Sequence, residues 1–249
     1  MDRSLSSVNL FDQASSLPPF PEKVESGVFS RGGHDSSYAL FAPVRYESGY
    51  AYPLFVWLHG PGDEERQLLR MMSLMSLRNY VAVAPRGPTA VQDGSGYTWR
   101  QTEGDIAAAE QRITDSIAIA RAKYNVAPHR IFLAGFDCGG TMAYRVGLQY
   151  PDRFAGVISL GGPLPAGGPL FGRLNEIRRL SVLLAVGRDS RRYPAEEVCH
   201  HLRLFHTAGL CITLRQYPGG QELSPQMLAD VDRWIIERIT APRQSEIGS

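Results

Sequence analysis

The chain has 249 residues, of which 43% are hydrophobic, so it is long enough to bury one large core and fits a single α/β domain. Its 26 basic and 25 acidic side chains leave a net charge of +1, which excludes the long-range field that attracts nucleic acid or an anionic membrane surface. Its three cysteines, an odd number in a chain of this size, argue against a disulfide framework and fit a reducing cytoplasm.

The two ends of the chain differ in composition from its middle. Residues 1–20 and 242–249 are polar and contain Ser, Pro or Gly, and we expect both segments to be loosely ordered around a domain at 21–241. The N-terminus lacks the apolar core of a signal peptide, and no later apolar run approaches the roughly 20 residues that cross a bilayer. We therefore expect a cytoplasmic protein that binds neither a membrane nor nucleic acid.

Short apolar runs alternate along the chain with segments of helical periodicity. The predicted strands are 37–44, 54–59, 80–85, 131–135, 156–160, 182–187 and 211–217. The predicted helices are 64–77, 105–124, 139–149, 195–207 and 224–240. This alternation predicts an α/β fold with a doubly wound, mostly parallel sheet flanked by helices. The Gly- and Pro-rich loop at 161–172 is too short to form a cap domain.

The segment at 135–140 reads Gly-Phe-Asp-Cys-Gly-Gly and joins a predicted strand to a predicted helix. In this context G-x-S-x-G forms the nucleophile elbow of α/β-hydrolases. Small residues are needed on both sides of the middle position, because the strand turns sharply into the helix there. The glycines of the motif are present, but Asp137 occupies the nucleophile position.

Six segments in order resemble the carboxylesterase, phospholipase and acyl-thioesterase branch of the α/β-hydrolases over about residues 37–240. They are 58–63 (LHGPGD), 84–87 (APRG), 97–99 (YTW), 130–135 (RIFLAG), 187–194 (GRDSRRYP) and 217–225 (YPGGQELSP). The resemblance implies an α/β-hydrolase fold without a cap domain. It also implies an ancestor that cleaved carboxylic esters.

The resemblance assigns catalytic duties to positions at which this chain has other residues. Gln221 occupies the histidine position, and its amide cannot take up a proton at physiological pH. Ser190 occupies the acid position, although a shift of one residue would place Asp189 there. Pro61 replaces an oxyanion-hole donor and has no N–H, which leaves the backbone N–H of Cys138.

Two interpretations follow from these replacements. The first is a pseudoenzyme, retained for binding a small molecule or a protein partner, because no base is left to activate water. The alternative is an active hydrolase of small carboxylic esters or related substrates, in which Asp137 acts as nucleophile or general base. A purely structural subunit, as a homodimer like many relatives, is a third class. We favour the first interpretation.

A basic run follows the predicted strand at 182–187, where ligands bind in open α/β sheets. Its arginines are expected to pair with Asp137 or to accept an anionic ligand in the vacated pocket. A binding protein should keep this pocket open, whereas in a structural subunit Tyr193 or Trp99 would fill it. The candidate ligand-binding residues are Trp99, Arg188, Asp189, Arg191, Arg192 and Tyr193.

We expect no cofactor and no metal. Cys199, His200, His201 and His206 share one predicted helix, but no second cluster of ligands accompanies them. Cys138 is expected to be a small buried side chain rather than a reactive thiol, and His59 is expected to be structural.

Overall fold

The computed structural model describes residues 24–31, 34–167 and 172–241. Its strands, in chain order, are β1 (Val24–Arg31), β2 (His34–Phe41), β3 (Tyr52–Leu58), β4 (Val81–Pro85), β5 (Thr89–Ala90), β6 (Tyr97–Thr98), β7 (Val126–Phe136), β8 (Gly156–Leu160), β9 (Ser181–Gly187) and β10 (Cys211–Tyr217). Eight of them form one sheet in the order β1-β2-β4-β3-β7-β8-β9-β10. β1 and β2 are antiparallel to their neighbours, and the other six strands of this sheet, β4, β3, β7, β8, β9 and β10, are parallel to one another. β5 and β6 form a separate antiparallel pair.

The α-helices are α1 (Gln67–Met75), α2 (Glu103–Lys123), α3 (Cys138–Gln149), α4 (Leu174–Ile177), α5 (Ala195–Ala208) and α6 (Pro225–Thr240). Side-chain caps define the start of two of them. The hydroxyl of Thr102 accepts the backbone N–H of Asp105 before α2, and that of Ser224 accepts the N–H of Met227 before α6. Between consecutive strands the described residues hold at most one α-helix, so no cap domain is inserted among them.

The sheet is buried on both faces because its strands alternate between two cores. In β3, Leu54, Val56 and Leu58 belong to the core formed with α2, α3 and α5. Phe55 and Trp57 point the opposite way, into the core formed with α1 and α6. Helices therefore cover both faces, and the carboxyl ends of the parallel strands meet at one edge of the sheet.

The predicted doubly wound, mostly parallel sheet flanked by helices is confirmed. Each predicted strand and helix corresponds to an observed element; β8 and β10 have the predicted bounds, and the other elements differ from the prediction at one or both ends. β1 is absent from the prediction because it is an edge strand without an apolar run, in which Glu25, Ser26 and Val28 are exposed. Residues 1–20 and 242–249, predicted to be loosely ordered, lie outside the described residues. Within the described residues, no helix is long and apolar enough to cross a membrane.

Candidate functional site

The site is built around the sharp turn from β7 into α3. Asp137 lies in this turn with φ 49° and ψ −115°, a strained conformation for a residue with a side chain. A Cβ atom on Gly135 would collide with the backbone of Gly139, and one on Gly139 would collide with the carbonyl of Leu58. The two glycines therefore allow the turn to form and hold Asp137 at its tip.

The three residues that the resemblance in sequence assigns to triad positions, Asp137, Ser190 and Gln221, are joined by hydrogen bonds. The hydroxyl of Ser190 donates to Oε1 of Gln221 over 2.6 Å. Nε2 of Gln221 donates to Oδ2 of Asp137 over 2.9 Å and to the carbonyl of Gly161 over 2.8 Å. The backbone N–H of Tyr193 donates to Oγ of Ser190 over 3.0 Å. The three side chains thus form one continuous hydrogen-bond network.

The direction of donation in this network is opposite to that of a working triad. The carbonyl of Gly161 can only accept, which fixes the NH₂ group of Gln221 on the side of Asp137. In a working triad the base accepts the proton of the nucleophile and donates to the acid. Here Gln221 donates to the nucleophile position and accepts from Ser190. The network can hold a carboxylate at Asp137, but it cannot remove a proton there.

Ser190 and Asp189 occupy different environments. Ser190 is 5% exposed and contacts Gln221, whereas the side chain of Asp189 is 63% exposed and lies 3.6 Å from Nε of Arg188. Ser190, and not Asp189, therefore makes the contact that an acid makes in relatives. The ion pair between Asp189 and Arg188 is exposed to solvent and therefore contributes little to stability.

One arginine of the basic run reaches the site. Nε of Arg192 lies 3.5 Å from Oδ1 of Asp137, whose side chain is 9% exposed, while that of Arg192 is 62% exposed. Each carboxylate oxygen of Asp137 thus has a neighbouring donor. Arg188 and Arg191 are exposed, and they do not line the cavity that lies next to the elbow.

A cavity of about 380 Å³ lies next to the elbow and is lined by Cys138 and Arg192, the neighbours of Asp137, but not by Asp137 itself. Its volume is within the usual range for small-molecule sites. Its wall includes apolar side chains of Trp99 and Leu164 and the first turn of α3 at Cys138 and Thr141. Its polar side chains are Gln101, Thr141, Arg192 and Glu197. Trp99 lines this cavity without filling it, and its indole N–H donates to the carbonyl of His59 over 3.1 Å.

The loop that forms one wall of the cavity is tied to α3. Thr141 donates to the carbonyl of Pro163 over 2.9 Å. The guanidinium of Arg145, a residue that is 7% exposed, donates to the carbonyls of Ala166 and Gly167 over 2.7 and 2.5 Å. Burial lowers the pKa of Arg145. These bonds hold the wall in place without a bound ligand.

Pro61 and Cys138, the residues expected at an oxyanion position, offer one backbone N–H between them. Pro61 is exposed and has no N–H, so the backbone N–H of Cys138 has no partner donor from that residue. The thiol of Cys138 lines the cavity and lies 3.4 Å from the hydroxyl of Thr98, which donates to it. Burial raises the pKa of this thiol, which keeps it protonated and a poor nucleophile.

Tyr193 is buried and does not line the cavity. It is 1% exposed, packs with Leu184, Val186 and Val198, and its hydroxyl lies 2.8 Å from Nδ1 of His201. Its ring supports the loop that holds Ser190. The structure therefore places this candidate ligand residue in the core beneath the site.

Both ring nitrogens of His59 have backbone partners, which agrees with a structural role. Nδ1 of His59 donates to the carbonyl of Gly60 over 2.8 Å, and its Nε2 accepts the N–H of Gly87 over 2.8 Å. Burial lowers the pKa of His59 and favours this neutral form. Among the described residues, no group of three or more His, Cys, Asp or Glu side chains could hold a metal ion.

Three polar residues that line the cavity, Gln101, Thr141 and Glu197, are absent from the prediction. Arg145, which donates to Gln101 and to the loop carbonyls without lining the cavity, is absent as well. Thr141 and Arg145 follow the elbow by one and two turns of α3, a spacing that points them to the same side of that helix. Gln101 and Glu197 lie outside the recognised motifs, so no sequence signal identifies them.

The strand order, the parallel strands and the strained turn into α3 define an α/β-hydrolase fold. The model of the phospholipase/carboxylesterase family matches residues 43–239, and the chain belongs to that family.

The comparisons with individual proteins agree with this assignment. The chain is 30% identical to the "Putative esterase NocK" of Nocardia uniformis subsp. tsuyamanensis over 120 residues, which are 46% of this chain and 34% of that protein. A solved ferulic acid esterase superposes with a TM-score of 0.69 at 14% identity, covering 87% of this chain and 98% of that one. A carboxylesterase from Mesorhizobium loti gives a TM-score of 0.68 at 18% identity, with 85% and 98% covered. At these identities the two structures establish the fold alone.

Proposed function

We propose that this protein is a pseudoenzyme, an esterase-like scaffold that no longer hydrolyses esters and binds a small molecule in the cavity beside Asp137. The observation that carries this proposal is the hydrogen bond from Nε2 of Gln221 to Oδ2 of Asp137. It puts a donor at the place where hydrolysis needs a proton acceptor.

Chemistry through Asp137 would need two groups that the site lacks. An ester formed on its carboxylate must be hydrolysed by water, which requires a base with a pKa near about 7. The amide of Gln221 has no such pKa, and no described histidine lines the cavity. Pro61 also removes one oxyanion donor, a loss of about 100-fold or more in turnover in other hydrolases.

A binding role is supported by what surrounds these replaced residues. The cavity is open beside Trp99, and its wall is fixed by hydrogen bonds from Thr141 and Arg145 to loop carbonyls. A structural subunit has no need of such a preformed cavity. Because the wall is already ordered, a ligand would lose little binding free energy in organising it.

The proposal is tested by hydrolysis of p-nitrophenyl acetate, butyrate and octanoate by the purified protein and by Asp137→Ala. We expect wild type to show no turnover above the variant with any of the three esters, because neither protein has a base at the site. Thermal unfolding of both proteins verifies that they are folded. Turnover by wild type that Asp137→Ala abolishes would contradict the proposal and make Asp137 the nucleophile or general base of an active hydrolase.

A further inference from the structure

Two side chains of opposite charge line the same cavity without neutralising each other. Arg192 lies on the loop before α5, and Glu197 lies in the first turn of α5. The ion pair of Arg192 is with Asp137, at 3.5 Å. Within the part of the chain that the structure describes, Glu197 has no ion pair and no side-chain hydrogen bond. The cavity thus offers an anion site and a cation site together.

The guanidinium of Arg192 has donors to spare. Its Nε lies 3.5 Å from Oδ1 of Asp137, and a guanidinium has five N–H donors in a planar fork. A second carboxylate can be bound in bidentate fashion by the remaining donors. Asp137 would then keep the guanidinium in place while a ligand carboxylate binds to its outer edge.

Part of the cavity wall is apolar. Trp99, whose indole N–H is bonded to the carbonyl of His59, and Leu164 of the loop after β8 both line it. The volume of about 380 Å³ suits one small molecule rather than a polymer. A matching ligand therefore has an anionic group, a cationic group and a short apolar body.

We infer that the cavity binds a zwitterion of the α-amino-acid class with an apolar side chain. Its carboxylate pairs with Arg192, its ammonium group with Glu197, and its side chain packs on Trp99 and Leu164. This inference rests on the proposed function, since it names the class of molecule that the cavity binds.

The test is calorimetric titration of the full chain with L-phenylalanine and with two molecules that each lack one charge. N-acetyl-L-phenylalanine has no ammonium group, and phenethylamine has no carboxylate. We expect each to bind at least about tenfold more weakly than phenylalanine, because one charged group of the cavity then stays without its partner. L-leucine and L-tryptophan are titrated alongside to cover the size of the apolar body.

Two variants separate the roles of the charges. Arg192→Gln should weaken phenylalanine and N-acetyl-phenylalanine by about tenfold and should not weaken phenethylamine, because the carboxylate of Asp137 then lacks its cationic partner. Glu197→Gln should weaken phenylalanine and phenethylamine and leave N-acetyl-phenylalanine unchanged. Arg188→Gln is the matched control, since Arg188 is exposed and does not line the cavity. Thermal unfolding establishes that each variant is folded.

The inference is wrong if none of the three amino acids binds, if either half-ligand binds as tightly as phenylalanine, or if both variants weaken all ligands equally. These results leave the proposed function standing, because another class of small molecule could occupy the cavity. The proposed function fails instead through ester turnover that depends on Asp137, which the titrations do not measure.

Discussion

The side chain of Gln221 has a donor end and an acceptor end, and the site uses both. Its carbonyl accepts from Ser190, and its NH₂ group donates to Asp137 and to the carbonyl of Gly161. The three side chains therefore suit one another: the carboxylate of Asp137 accepts from Gln221, and the hydroxyl of Ser190 donates to it. Together they form a satisfied network, in which changing one residue alone would leave an unpaired polar group.

The hydrogen-bond network predicts how catalysis could be restored. Asp137→Ser with Gln221→His supplies a nucleophile and a base, but Ser190 provides no negative charge to stabilise the imidazolium. We expect adding Ser190→Asp to raise kcat/KM for p-nitrophenyl butyrate by about 100-fold or more over the double variant. Equal activity of the double and triple variants would contradict this role of Ser190, and thermal unfolding of both controls for misfolding.

The sequence identifies some of these residues and not others. Asp137 and Gln221 lie within recognisable motifs, so their positions follow from the order of glycines around them. Sequence spacing leaves Ser190 and Asp189 equivalent, because the N–H of Tyr193 that binds Ser190 depends on the three-dimensional turn. Glu197 reaches the cavity only because α5 begins directly after that turn, and no motif marks it.

At the scale of elements, the elbow shows how closely β3, β7 and α3 approach each other. The Cα of Gly139 faces the carbonyl of Leu58 at the end of β3, with no room for a side chain. This contact explains why the turn needs the glycines of the motif, whatever residue occupies its tip. They are required by packing of the strands and the helix, whatever chemistry the turn supports.

Gly139→Ala should therefore lower the free energy of unfolding by about 3 kcal/mol or more, because backbone atoms of two elements must separate. Gly104→Ala is the control. Gly104 lies in the first turn of α2, and a Cβ atom there would meet no atom within 4 Å. That variant should gain up to about 1 kcal/mol. Chemical denaturation measures both. If Gly139→Ala does not lower the free energy of unfolding relative to Gly104→Ala, the close approach of α3 to β3 is wrong.

The same physics explains which elements the sequence predicts. Central strands such as β4 and β8 are buried on both faces and read as continuous apolar runs. β1 pairs on one side only, and its mixture of Glu, Ser and Gly carries no comparable pattern. The two-residue strands β5 and β6 depend on pairing across a loop, which local periodicity does not report.

At the scale of the whole molecule, the fold does not depend on the linked polar side chains of the candidate site. Both large cores are made of apolar side chains on the strands and helices, and Asp137, Ser190 and Gln221 belong to neither. Substitutions at these three positions should therefore cost the scaffold little stability. His59 has a structural role instead, since its ring joins the segments that follow two strands.

Burial of His59 predicts how stability depends on pH. Its pKa is lowered below 6.5, first by burial, so the unfolded chain binds a proton more readily than the folded one. Stability should be fully present above pH 6.5 and fall as the pH drops below it, by at most about 1.4 kcal/mol per pH unit from this group. Denaturation of wild type, His59→Gln and the exposed control His206→Gln from pH 8 to pH 5 measures the slope. His59→Gln should flatten it and His206→Gln should not; the same slope in all three would exclude His59 as its source.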